Sequence, residues 1–155
     1  MGGAEMYAPH TVTVYNAHEN VDTLKNEYNI TILEGVLLDI SKGANVMKSG
    51  LENADAAILF VPFAVKAVNG LTGKRQTYLE PKEYERTENK GLHWTLRTGG
   101  QRSSKDCFFV KGRVVDEDAD FQAINAYHDD VYRVSSVDPR DFGSADMQHW
   151  EVGGR

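Results

Sequence analysis

The chain has 155 residues, 41% hydrophobic and 26% charged, with 17 Lys and Arg against 23 Asp and Glu. That length fits one domain, residues 1–155, large enough to bury a core without a disulfide or a metal staple. The net charge of -6 disfavours a broad DNA-binding surface, which is normally basic, and a lone cysteine, Cys107, forms no internal disulfide.

The opening stretch MGGAEMYAPH has neither a basic n-region nor an apolar h-region, so no signal peptide is expected. Residues 1–9 are expected to be a flexible tail. HTVTVYN (10–16) alternates, with Val12 and Val14 on one face and Thr11, Thr13 and Tyr15 on the other, the period of a half-buried strand. AHENVDTLKNEYN lacks a sustained stripe and reads as a loop with room for one helical turn. In ITILEGVLLDI (30–40), Ile30, Ile32, Val36, Leu38 and Ile40 share one parity, and Gly35 is a candidate bulge. SKGANVMKSGLENAD is a long connection. ADAAILFVPFAVKAV is broken by Pro62 and Lys66 and is too short to span a bilayer, so no membrane partner is expected. Within it, AAILFVPF is the best central strand, with Pro62 at an edge, bulge or strand end.

The pattern weakens from Ala64 to Lys105. QTYLEPKEYER and GLHWTLRT are each read as strands, joined as a hairpin through TENKG. GGQRSSK reads as a mobile loop tip. DCFFVKGRVV is a strand, and the acids ahead of FQAINAY (121–127) suit the first turn of one short helix. VYRVSSV and MQHWEV form a closing pair. In it, Tyr132 and Val134 share a parity, and Trp150 and Val152 share the inner face. These four residues are the expected core anchors. Between them, Asp138-Pro139 is read as a turn opener and Gly143 as a positive-φ position. The fold class that follows is mainly β: a small antiparallel β-barrel or sandwich of six to eight short strands, with long loops and one short helix.

Chemistry-bearing motifs are weak. Cys107 lies beside two Phe and reads as a buried, inert thiol. NGLTGKR fails as a phosphate loop, because Gly70 and Gly73 are too close and Arg75 stands where Ser or Thr would bind magnesium. His10, His18, His93, His128 and His149 have no metal-ligand spacing. DPRDFGSAD does not match a calcium loop. No G-x-S-x-G elbow occurs. No catalytic, cofactor-binding or metal-binding residues are therefore assigned. RTGGQRSSK (97–105) is the one local basic stretch, either a solvated hairpin tip or a flexible finger that meets phosphates.

HTVTVYN, GVLLDISKGANVMKSGLENADAAILFVPF, DCFFVKG and VYRVSSVDPRDFGSADMQHWEVGGR together resemble small proteins of tailed bacteriophages and prophages. The layout is similar to the head–tail joining group, the head-closure, stopper or connector proteins. Residues 64–98 carry none of this likeness. The resemblance implies a non-catalytic virion component of the neck, made in the host bacterial cytoplasm. It implies a homo-oligomeric ring, with a hexamer favoured, bound to portal or adaptor and tail proteins and in transient, non-specific contact with packaged DNA. The residues expected to face DNA or a neighbour are Lys42, Lys48, Arg97, Arg102 and Lys105. The alternatives are a minor capsid or tail-completion (tail terminator) protein, a small phage-encoded hydrolase using His128 or His93, and a monomeric binding module.

Overall fold

The computed structural model of the chain describes residues 7–41, 56–101 and 103–155. Its strands are β1 (His10–Glu19), β2 (Asn26–Ile40), β3 (Ala57–Pro62), β4 (Lys66–Asn69), β5 (Thr77–Tyr78), β6 (His93–Trp94), β7 (Cys107–Lys111), β8 (Val131–Arg140) and β9 (His149–Gly154). Among the described residues, two short α-helices, α1 (Pro81–Arg86) and α2 (Phe121–Tyr127), lie between them. The molecule is mainly β. Six strands close an antiparallel barrel in the order β1-β7-β8-β9-β3-β2, with β2 pairing back to β1. β4 adds to β2 beside the barrel wall, and β5 and β6 form a separate parallel ladder. Closure pairs the backbone groups that an open sheet would leave at its edges.

β1 is not half-buried. Every residue from Val12 to Ala17 is at 0% exposure. Val12 and Val14 point into the barrel with Leu33, Leu59, Phe109, Val134 and Val152. Tyr15 points outward, into a second core with Ile30, Phe108, Val110, Ile124 and Val131. The outer core exists because α2 and the chain leading to it lie over this face. Asp120 caps that helix by accepting from Ala123 N at 2.9 Å, and Tyr15 stacks on Phe108 with ring centroids 4.8 Å apart.

The single parity expected along β2 is overturned by its own bulge. His10 pairs with Val36 and Thr11 with Glu34, so Gly35, at φ +87, has no partner on β1. One inserted residue exchanges the two faces of a strand. Ile30 therefore joins the outer core and Leu33 the inner one, while beyond the bulge Val36 and Leu38 are the inner residues. The bulge also bends β2, whose first part pairs with β1 and β4 and whose last four residues pair with β3.

Four local expectations need correction. The stretch after β1 is a hairpin turn at Asn20–Lys25, not a loop with a helical turn. Pro81–Arg86 is a helix, not a strand. Pro81 at its first position fixes a helical φ and lacks only an N–H that would be unbonded there. GLHWTLRT contributes two strand residues, and these pair in parallel with Thr77 and Tyr78. Asp138-Pro139 does not open a turn either, because β8 runs through it to Arg140. Proline is tolerated there because the β7 ladder ends at Arg133, leaving position 139 on a strand edge. Gly143 does take a positive φ, +84, in the β8–β9 connection.

Residues 76–98 plug one end of the barrel. Trp94 and Leu96 belong to the inner core. Trp150 packs against this plug, with its ring centroid 4.3 Å from Tyr78, 4.5 Å from Phe63 and 5.9 Å from Trp94. The last strand is thus held by its ladders to β3 and β8 and by the aromatic cluster over the barrel end. Trp150, Val152, Tyr132 and Val134 are all buried in this core.

Candidate functional site

An extended plug inside a barrel end has backbone groups that no long ladder satisfies, and buried ones need partners. Side-chain amides supply them. Asn16 Nδ2 donates to Thr95 O at 2.9 Å, and Thr95 N donates to Asn16 Oδ1 at 3.1 Å. Asn29 Nδ2 donates to His93 O at 2.6 Å. Gln76 Nε2 donates to Asn29 Oδ1 and to Gly91 O, and Thr31 donates to Gln76 Oε1. Asn69 Nδ2 also donates to Gly91 O. All of these side chains are buried. Their placement follows from register. Asn16 sits opposite Asn29, and Val14 opposite Thr31, on the inner face of the β1–β2 pair.

Arg97 completes the lock, and its expected role as a DNA-facing residue is corrected here. It is 8% exposed. Its guanidinium donates to Ala17 O at 2.6 Å, to Lys105 O at 3.0 Å and to Ser104 O at 3.3 Å. It lies 3.6 Å from Glu85 and over the Tyr84 ring. Three carbonyls from two parts of the chain converge on one planar fork, which suits arginine and not a point-charge lysine. In the turn after it, Ser103 Oγ and N both donate to Gly100 O. Lys105 stays at the surface, and its ammonium reaches Glu85 at 3.2 Å. Lys42, Lys48 and Arg102 lie outside the described residues.

Two open recesses lie on the surface. One, about 790 Å³, lies between the β1–β2 hairpin and the start of α2 and is lined by Glu27, Asp106, Glu117, Asp118 and Asp120 with His18 and Arg133. Arg133 already answers part of this charge, 3.3 Å from Asp106 and 3.9 Å above the Phe121 ring. Burial pushes the Asp106 carboxyl up from its ordinary range, and Arg133 opposes that shift. The other recess, about 490 Å³, is a groove between β8 and the plug, with Tyr78, Leu96, Pro139 and Trp150 among its walls.

The other chemistry-bearing residues stand apart. Cys107 is buried, and burial raises its thiol to about 11, which keeps it protonated at neutral pH. His128 caps the C-terminus of α2 at the surface. His93 Nδ1 is 3.3 Å from Thr77 O, next to a carbonyl and not a carboxylate. Among the described residues, no group of three or more His, Cys, Asp or Glu could hold a metal ion. The Asn69–Arg75 segment is a tight turn, closed by Asn69 N donating to Lys74 O at 2.8 Å.

Sequence reasoning missed the buried amides and the groove. Asn16, Asn29 and Gln76 look like surface residues in one dimension. For Asn16 and Asn29 the available signal was their place at the parity of Val12, Val14 and Leu33; Gln76 lies outside the strands and offered none.

These features define a closed antiparallel β-barrel with one end filled by its own chain and open recesses on its surface. Residues 7–155 match a family of unknown function, DUF6751, and the chain belongs to that family. No curated protein and no solved structure matches it.

Proposed function

We propose that the chain is a non-catalytic structural subunit of the neck of a tailed bacteriophage or prophage, working as one copy in a ring that joins head to tail. One observation carries most of the reading. A barrel closed on itself projects large apolar side chains into solvent at its extremities: Val21 (82% exposed), Tyr127 (85%) and Phe142 (71%). Isolated exposed apolar residues are ordinary. Here they sit on the β1–β2 turn, on α2 and on the β8–β9 connection, the parts of a closed barrel left free to touch neighbours. Ring subunits need this division between a rigid body and adhesive tips. The sequence resemblance in β1, β2, β3, β7 and the closing pair supports the neck assignment. A net charge of -6 suits a passage through which DNA slides without sticking.

The test is electron microscopy of the purified chain, alone and mixed with the portal protein of a phage or prophage that encodes it. Rings, or density added below the portal, are the expected result. A chain that remains monomeric and leaves the portal unchanged removes this function.

A further inference from the structure

Two turns of this molecule share one plan. In Asn20–Lys25, Asn20 Oδ1 accepts from Asp22 N and Thr23 N, and Thr23 Oγ1 accepts from Lys25 N. Leu24 N donates to Asn20 O, and Asn20 N donates to Lys25 O. Asn69–Lys74 repeats each of these bonds with Asn69, Leu71, Thr72, Gly73 and Lys74 in the matching places. The fifth residue of each is left-handed, Gly73 at φ 74 and Leu24 at φ 60. Glycine adopts that conformation freely and leucine does not. Leu24 is the one non-glycine residue with positive φ among the described residues.

Leu24 therefore costs the free subunit twice, once in backbone strain and once in apolar surface held in water, since its side chain is 72% exposed and that of Val21 82%. Neither residue is needed to form the turn, because Gly70 and Gly73 occupy the same two places in the other copy of the plan. A contact outside the subunit accounts for both choices.

The same molecule carries a recess to receive them. β8 continues from Val134 to Arg140 beyond Arg133, its last residue paired with β7. Between that stretch and the plug runs the 490 Å³ groove walled by Tyr78, Pro81, Leu96, Val137, Pro139 and Trp150. Its volume lies in the range of sites that enclose small ligands, about 300–1,000 Å³. Glu80 stands exposed on its rim and Lys25 stands exposed on the turn, beside Asp22, so one pair of opposite charges is available across the contact.

We infer that the Asn20–Lys25 turn of one copy docks into the β8–plug groove of the next, with Val21 and Leu24 on the Tyr78–Pro139–Trp150 wall and Lys25 beside Glu80. The two surfaces differ, so the contact is head-to-tail. Such contacts propagate until a ring closes. The inference supplies the contact for the self-association proposed above and rests on that part of the reading alone.

The experiment is sedimentation velocity on the full chain. The wild type is expected to assemble. The Val21→Ser, Leu24→Gly double variant is expected to be monomeric with a melting temperature equal to or above that of the wild type, a combination that a purely structural role for these residues does not produce. Pro139→Glu, which places a charge in the groove, is expected to be monomeric as well; Ser136→Glu on the adjacent wall replaces it if that variant fails to fold. Mixed in equal amounts, the turn variant and the groove variant are expected to form a dimer that grows no further, because each keeps one intact half of the contact. Rings that persist in either variant, or a mixture that stays monomeric, overturn this contact and leave the ring itself standing. A wild type that is monomeric at every concentration overturns the contact too, and the portal mixture then decides the neck assignment separately.

Discussion

Arg97 shows how far a residue's meaning depends on what converges on it. In one dimension it opens a basic stretch rich in Gly and Ser. In the fold its guanidinium collects the carbonyls of Ala17, Ser104 and Lys105. Hydrogen bonds from a charged group contribute more than neutral ones, and a buried carbonyl left without a donor is costly. Arg97→Ala is therefore expected to destabilise the fold by about 3 kcal/mol, read as a lower midpoint in urea. Arg97→Lys is expected to recover little, because an ammonium cannot span the three acceptors. Unchanged stability in the alanine variant would sink this account. Replacing Arg97 is consequently no clean probe of DNA contact, and Lys105 is the better one.

His18 adds a pH dependence at the same scale. Burial lowers its pKa from 6.5, with Lys90 and Arg97 adding to that effect and Glu27, 3.7 Å away, opposing it. The unfolded chain then binds the proton more readily than the folded one. The stability this group contributes is full above about pH 6.5 and is lost as pH falls toward its folded pKa. The melting temperature should drop as pH falls below about 6.5, and His18→Gln should flatten that drop. An equal slope in the variant would assign the pH dependence to other groups.

Among the elements, β2 is the one whose behaviour turns on a single residue. A side chain added at Gly35 would meet nothing within 4 Å, yet the backbone there is at φ +87. The cost of Gly35→Ala is thus conformational and not steric, about 1–2 kcal/mol, and thermal unfolding should register it. Gly154, where an added Cβ would sit 2.7 Å from Tyr132 and 2.8 Å from Phe109, is limited by space instead. The closing strand carries a larger stake. Trp150 joins β9 to the plug through Tyr78 and Trp94, and to the end of β3 through Phe63. Trp150→Ala should lose about 3–5 kcal/mol, and hydrogen exchange should then open residues 76–98 together with β9. Loosening confined to β9 would show that the plug is held by its amides alone.

At the scale of the whole molecule, the two cores bury phenols along with aliphatic side chains. Burial raises Tyr15, Tyr28, Tyr78, Tyr84 and Tyr132 from 10.0 to about 12. The unfolded chain releases these protons first, so stability is present below about pH 10 and falls as pH rises from there toward 12. Tyrosinate absorbance and loss of β-structure should therefore rise together in one alkaline transition. Phenol ionisation completed before unfolding would contradict the packing described for both cores.

The strands of the barrel were legible from alternation, from Pro62 and from the turn residues, and α2 was legible from the acids ahead of FQAINAY. Local chemistry determines these features: the chain's own periodicity, φ preferences and capping groups favour them position by position. The parity of β2, the fate of residues 76–98 and the role of Arg97 were decided only in three dimensions. A bulge exchanges the faces of a strand without changing its composition, and a plug segment with two-residue ladders has no period of its own to read. The acceptors that bind a guanidinium are backbone carbonyls, which every residue carries alike, so only the folded chain reveals which three of them meet.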